Sequence, residues 1–344
     1  MNTKLSIQDV NNEFPMFDKK EVKHMISKID RKRIFIFVAI TYGITIVLAI
    51  VIFLDGGLFP DRTLLVNLLM AAMMFTPGIA NIATRLITRE GWSNTFLRTK
   101  LRRGWPFYLA ALSLPFLAII VGGAIYYLLF PGKFDLSMPF AHQLGIPIPL
   151  VPDAWKVVVI RDILGGYRTV LIGMVLFLGE EFGWRAYLLP KLMPLGSRKA
   201  VLLVGAIWGV FHWPLIFMGY EYRFDYWGAP VVGPLLFVLI KMFGDSVLLA
   251  WVTLRTGSVW PACIAHGVNN ALSMLVVYFL RGEWDMLLGP SDVGIIGFLG
   301  YALLALPIFL IPGALVQPTP VPAGIAVSGA VEKAAVQSSS GFVS

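Results

Sequence analysis

Glu180 and Glu181 stand side by side inside an apolar stretch that runs from Met174 to Pro190, with Arg185 four positions after the second. A carboxylate at the centre of a bilayer costs roughly 2.5–3.5 kcal/mol on insertion scales. Two adjacent ones are a poor packing choice, and ionisable groups at membrane depth usually carry function. Positions four apart share a helical face, so Glu181 and Arg185 can neutralise each other. Glu180 then points about 100° away and needs partners from other helices.

Few residues can supply them. His24 and His142 fall outside the apolar runs, whereas His212 (Trp208-Gly-Val-Phe-His212) and His266 (His266-Gly-Val-Asn-Asn270) fall inside two of them. Trp208 with His212, and His266 with Asn270, are spaced to share a face. Counting ~1.5 Å per residue from the basic end of each run puts Glu180 at ~15 Å, His212 at ~18 Å, His266 at ~12 Å and Asn270 at ~18 Å. Polar groups from separate helices therefore occupy one band.

A carboxylate, two imidazoles and a carboxamide suit water-mediated attack on an amide. Glu180 would be the general base, and His212, His266 and Asn270 would donate to the oxyanion. Arg185 would fix Glu181. The alternative use of Glu180, His212 and His266 is a zinc site with one position open to water, although His-Glu-x-x-His spacing is absent. Nucleophilic catalysis by Cys263 or Ser258 beside His266 is weaker, since their angles do not converge and Gly-x-Ser-x-Gly is missing.

The elements that must position these groups are membrane helices. Of 344 residues, 57% are hydrophobic and 14% charged, with a mean hydropathy of +0.76, where a soluble domain carries about 25% charged residues. The fold class expected is an all-α polytopic membrane protein with an intramembrane polar cavity. About eight crossings are expected: Ile34–Leu54, Leu64–Ile82, Pro106–Phe130, Leu164–Leu189, Ala200–Met218, Val231–Leu254, Ser258–Leu280 and Val293–Leu315. Residues 131–163 read as a long external connection. Domain organisation follows as a cytoplasmic segment over 1–33, a helical domain over 34–315, and a Pro/Ala/Ser/Val-rich disordered tail over 316–344.

Net charge is +8, but the basic residues flank apolar runs and form no separate basic domain, so nucleic acid is not the expected partner; the bilayer is. They cluster before the first run (Lys19 to Arg33), between the second and third (Arg85 to Arg103) and after the fourth (Lys191, Arg198, Lys199). By the positive-inside rule both termini lie in the cytoplasm of a cell-membrane protein. The first 33 residues do not read as a signal peptide. The one cysteine, Cys263, allows no internal disulfide and reads as a small buried side chain. Lys241 and Asp245 read as a structural ion pair, Arg168 as a snorkelling side chain, and residues 220–227 as an aromatic interface loop.

Three motifs in order, Glu180-Glu181-x-x-x-Arg185, Trp208-x-x-x-His212 and His266-x-x-x-Asn270, resemble those of the CAAX protease and bacteriocin-processing family of intramembrane endopeptidases. Trp208 stands where that family often has Phe. The similarity covers about residues 164–280. It implies an eight-helix protease with a cavity open to the cytoplasm and a peptide or protein substrate, which lipidation could mark. It also implies that Glu180 activates water, Glu181 and Arg185 support it, and His212, His266 and Asn270 stabilise the transition state. In the family's prenyl-protein branch no metal is obligatory, while other members are described as metalloproteases or as non-proteolytic immunity proteins. A transporter or immunity protein is thus the rival reading, but the broken pseudo-symmetric helices of transporters are not evident.

Overall fold

The computed structural model describes residues 19–59, 63–223 and 229–317, with side chains from residue 30 onward except at 229 and 230. The tail expected to be disordered lies outside these residues from 318, as does much of the aromatic loop. The architecture is helical, and among the described residues β-structure is limited to one isolated bridge, Phe134 with Leu280.

The chain begins with α1 (Lys19–Leu54), α2 (Leu64–Thr88) and α3 (Leu101–Leu129). The basic residues before the first expected crossing are thus continuous with its helix. Thr63 caps α2 by accepting from the Val66 amide at 3.1 Å. The expected external connection is partly helical, containing α4 (Pro139–Gln143) and the start of α5 (Ala154–Ile172). Next come α6 (Met174–Gly183), a π-helical turn over Trp184–Leu188, and α7 (Leu189–Leu192). The remaining elements are α8 (Ser197–Phe211), α9 (Trp213–Ile216), α10 (Ala229–Ile240), a second π turn over Lys241–Asp245, α11 (Ser246–Thr256), α12 (Trp260–Leu272) and α13 (Leu299–Leu310).

Among the described residues six helices are long and apolar enough to cross a membrane, or seven if α5 and the α6–α7 segment count as one crossing. That is fewer than the eight expected, for two physical reasons. The fourth expected crossing is bent by 61° between Ile172 and Met174, at Gly173, where an added Cβ would lie 2.9 Å from the Thr169 carbonyl. The eighth contains only the twelve residues of α13, about 18 Å of helix, because residues 291–298 fold as turns before it.

Glycine seams set the packing around the polar cluster. A Cβ at Gly183 would lie 2.3 Å from Pro77 Cβ, and one at Gly179 would lie 2.7 Å from the Met74 carbonyl. Only hydrogen lets α6 lie directly on α2. Gly205 and Gly209 do the same for α8, with Cβ positions 2.6 Å from Met242 Cα and 2.7 Å from Val238 Cα. Gly205, Trp208, Gly209 and His212 are spaced to share one face of that segment, so the seam brings the second π turn beside Trp208.

Candidate active site

Glu180 and Glu181 lie on the last turn of α6, 3% and 0% exposed. The π turn that follows carries Arg185, also 0% exposed. π turns widen the helix and often sit at functional sites. Here the freed Phe182 carbonyl accepts from Asn81 Nδ2 at 2.8 Å, and Arg85 Nε orients that amide through Asn81 Oδ1 at 2.7 Å. Asn81 therefore holds the end of α6 to α2. In sequence it looks like an interruption of a crossing, and nothing local reveals its partner.

The expected Glu181–Arg185 pair forms, with Arg185 Nη1 donating to Glu181 Oε1 at 3.0 Å. The same oxygen accepts from His266 Nδ1 at 2.9 Å. A carboxylate can only accept, so Nδ1 carries the proton and His266 presents Nε2 to the site. The His266 ring lies 5.3 Å from the rings of both Phe177 and Trp208. Glu181 Oε2 and Arg185 Nε and Nη2 are buried without a hydrogen-bond partner among the described residues.

Glu180 points elsewhere, as the helical angle requires. Its Oε2 accepts two indole N–H groups, from Trp184 at 3.2 Å and from Trp208 at 2.7 Å. Among the described residues none donates to Oε1. Both tryptophans are thus hydrogen-bond donors to the carboxylate.

His212 follows α8, is half-buried, and its ring centroid lies 6.0 Å from that of Trp208. Its Nδ1 faces the Trp208 carbonyl at 2.9 Å, an acceptor, so this imidazole too presents Nε2. Trp208 thus touches the carboxylate and both imidazoles. It also receives two cations over its ring, Arg185 at 4.2 Å and Lys241 at 4.8 Å. The Lys241–Asp245 pair forms at 2.6 Å, as the spacing indicates, but directly against the site.

Asn270 is not drawn into this network. It is exposed on α12 and makes no side-chain hydrogen bond among the described residues. Its neighbour Asn269 is the buried one, accepting from Tyr301 Oη of α13 at 2.6 Å. Position i+4 from His266 keeps Asn270 on the histidine's face, while i+3 turns Asn269 toward α13.

Among the described residues no group of three or more His, Cys, Asp or Glu side chains is arranged to hold a metal ion. One oxygen of Glu180 is committed to two indoles, and Glu181 is taken up by Arg185 and His266. The alternative zinc set of Glu180, His212 and His266 is not gathered into such a group among the described residues.

At the basic end of the helices, Glu90 accepts from Tyr187 Oη at 3.1 Å and from Lys191 Nζ, and pairs with Arg33 at 3.3 Å. Asp30 completes the cluster through Lys191 at 3.4 Å. Burial pushes the Glu90 carboxyl up, but Lys191, Arg33 and Arg85 together hold it below the ordinary glutamate value. This latch ties α1 and the end of α2 to the segment that carries Arg185.

The comparisons agree with the motifs. Residues 93 in number align at 31% identity with "CAAX prenyl protease 2" of Methanococcus maripaludis, covering 26% of this chain and 34% of that protein. The chain therefore spans about a third of the length of the curated relative it matches. Residues 164–272, which contain both glutamates, Arg185, both imidazoles and Trp208, match a family described as type II CAAX prenyl endopeptidase Rce1-like. This segment of a multi-pass membrane protein is therefore similar in sequence to the CAAX prenyl proteases over the residues that build the site.

Proposed function

We propose that the protein is an intramembrane endopeptidase of the CAAX prenyl protease type, hydrolysing a peptide bond with a water activated by Glu180. The observation that carries this reading is the state of Glu180. It is buried among membrane helices, one oxygen is held by two N–H donors while the other has no donor among the described residues, and the indole that holds it also contacts His212 and His266.

In this reading Glu180 Oε1 takes a proton from water as the water oxygen bonds to the carbonyl carbon. The proton passes to the leaving amine when the C–N bond breaks. His266, whose Nδ1–H is held by Glu181, would donate from Nε2 to the oxyanion when both ring nitrogens carry a proton. His212, facing only a backbone carbonyl, offers Nε2 as an acceptor for water. Asn270, accessible on the face of His266, supplies a carboxamide donor. The substrate proposed is a peptide with a lipidated cysteine near its C-terminus, drawn from the bilayer.

The basic ends support the orientation with both termini cytoplasmic. Asp30 of α1 meets Lys191, and Arg198 donates to the Phe309 and Leu310 carbonyls at the end of α13 at 2.7 and 2.6 Å. Both ends of the helical domain therefore lie beside the Lys191–Lys199 cluster, which favours the cytoplasm.

The test is turnover of an internally quenched peptide ending in farnesyl-cysteine and three further residues, beside its unfarnesylated twin, by protein purified in detergent. Glu180→Gln is expected to lose about 10²–10⁴ in rate, and wild-type turnover in that variant would remove the assignment. Preference for the farnesylated peptide is expected, and equal rates would remove the lipidated substrate. A strong chelator is expected to leave the rate unchanged, and loss restored by zinc would overturn the metal-free mechanism.

A further inference from the structure

Glutamate's terminal torsion is broad and roughly two-fold, so an unrestrained carboxylate presents either oxygen in any plane. Glu180 is not unrestrained. Trp184, one turn along its own helix segment, and Trp208 of α8 both donate to Oε2. Indole can only donate, so neither group can accept the proton that a general base collects.

The two donors are not equivalent. Trp208 is nearer, at 2.7 Å against 3.2 Å, and its ring lies beneath the guanidinium of Arg185 and the ammonium of Lys241. A cation over an indole face draws on its π electrons and makes the N–H a stronger donor, an effect enlarged in a low-dielectric interior. Lys241 reaches the ring because Gly205 and Gly209 have no Cβ where the second π turn packs, and Asp245 holds its Nζ at 2.6 Å.

We propose that Trp208 is a positioning residue for the general base: its N–H, polarised by Arg185 and Lys241, pins Glu180 Oε2 and so presents Oε1 to water. The Lys241–Asp245 pair then acts on the reaction through the indole ring. This rests on Glu180 being the base. It gives the tryptophan a chemical reason, since phenylalanine at 208 would fill similar space with no donor.

The experiment measures kcat and KM for the farnesylated quenched peptide, with apparent Tm, in wild type and in Trp208→Phe. The further variants are Lys241→Met with Asp245→Asn, which removes both members of that ion pair, the three substitutions combined, and Glu180→Gln. Trp208→Phe is expected to lower kcat roughly 10- to 100-fold, the scale of one hydrogen bond to a charged group, with KM within about twofold. The Lys241/Asp245 variant is expected to lower kcat several-fold in the wild-type background and to add nothing in the Trp208→Phe background.

Wild-type kcat in Trp208→Phe, or a loss that falls on KM and Tm instead, overturns the positioning role. Equal effects of the Lys241/Asp245 change in both backgrounds overturn the route through the indole. Should Trp208→Phe not fold, Trp184→Phe removes the other donor to the same oxygen. A smaller fall in kcat alone supports the proposal, and an unchanged kcat overturns it. Full turnover in Glu180→Gln would instead mean that the base assignment itself fails, whatever the tryptophans do.

Discussion

Arg185→Leu leaves the Glu181 carboxylate at 0% exposure with His266 Nδ1 as its remaining donor and Oε2 still unpartnered. Breaking a buried pair from one side costs about 3–5 kcal/mol, because the surviving charge keeps its desolvation penalty. At about 1.4 kcal/mol per factor of ten, the folded population is expected to fall by roughly 10²–10³·⁵ relative to unfolded. Combining Arg185→Leu with Glu181→Gln removes both charges, and removing both partners of a buried pair is often close to neutral. The double variant is expected to regain at least half of the lost stability, short of the stacking of Arg185 on Trp208. Turnover should not return with it, since His266 no longer has a carboxylate partner. The assay is apparent Tm in one detergent together with peptide turnover for wild type, both single variants and the double. A double variant no more stable than Arg185→Leu would refute the reasoning, as would one that recovers activity with stability.

Gly183→Ala places a Cβ 2.3 Å from Pro77 Cβ, so α2 and α6 must part; a loss of about 1–3 kcal/mol should show as a lower Tm with reduced turnover, and a variant indistinguishable from wild type in both would refute the seam. Asn270→Ala is expected to lower kcat with Tm unchanged, whereas Asn269→Ala is expected to lower Tm by cutting the bond to Tyr301; the reverse pattern in thermal melts and kinetics would exchange their roles. The Glu90 latch should be pH-dependent with a definite sign. Because the folded carboxyl lies below its ordinary value, its contribution is present above the unfolded value of about 4.3 and is lost as pH falls through the folded one. The Tm gap between wild type and Glu90→Gln, measured from about pH 6 to about pH 3, should therefore shrink on acidification, and a constant gap would refute it.

Much of this site is legible in the letters because helical geometry is local. Spacing of four is enough to pair Glu181 with Arg185 and Lys241 with Asp245, and apolar length is enough to announce membrane helices. The same rule requires Glu180 to seek partners on other helices, and the depth of the polar residues in separate runs points to a shared band. It also puts Asn270 on the His266 face, where it lies exposed and makes no side-chain hydrogen bond among the described residues.

Other features depend on which helix lies against which. The indole donors to Glu180, the cations over Trp208 and the hold of Asn81 on the Phe182 carbonyl join residues 4 to 101 positions apart, and the long-range ones have no signature in spacing. The bend between α5 and α6 and the shortness of α13 escape a hydropathy reading because glycine, proline and turns in these segments are apolar too. Composition and period thus determined the solvent, the helices and the acid–base groups. The glycine seams decided how closely the helices approach, and with that which oxygen of Glu180 is held and which is free.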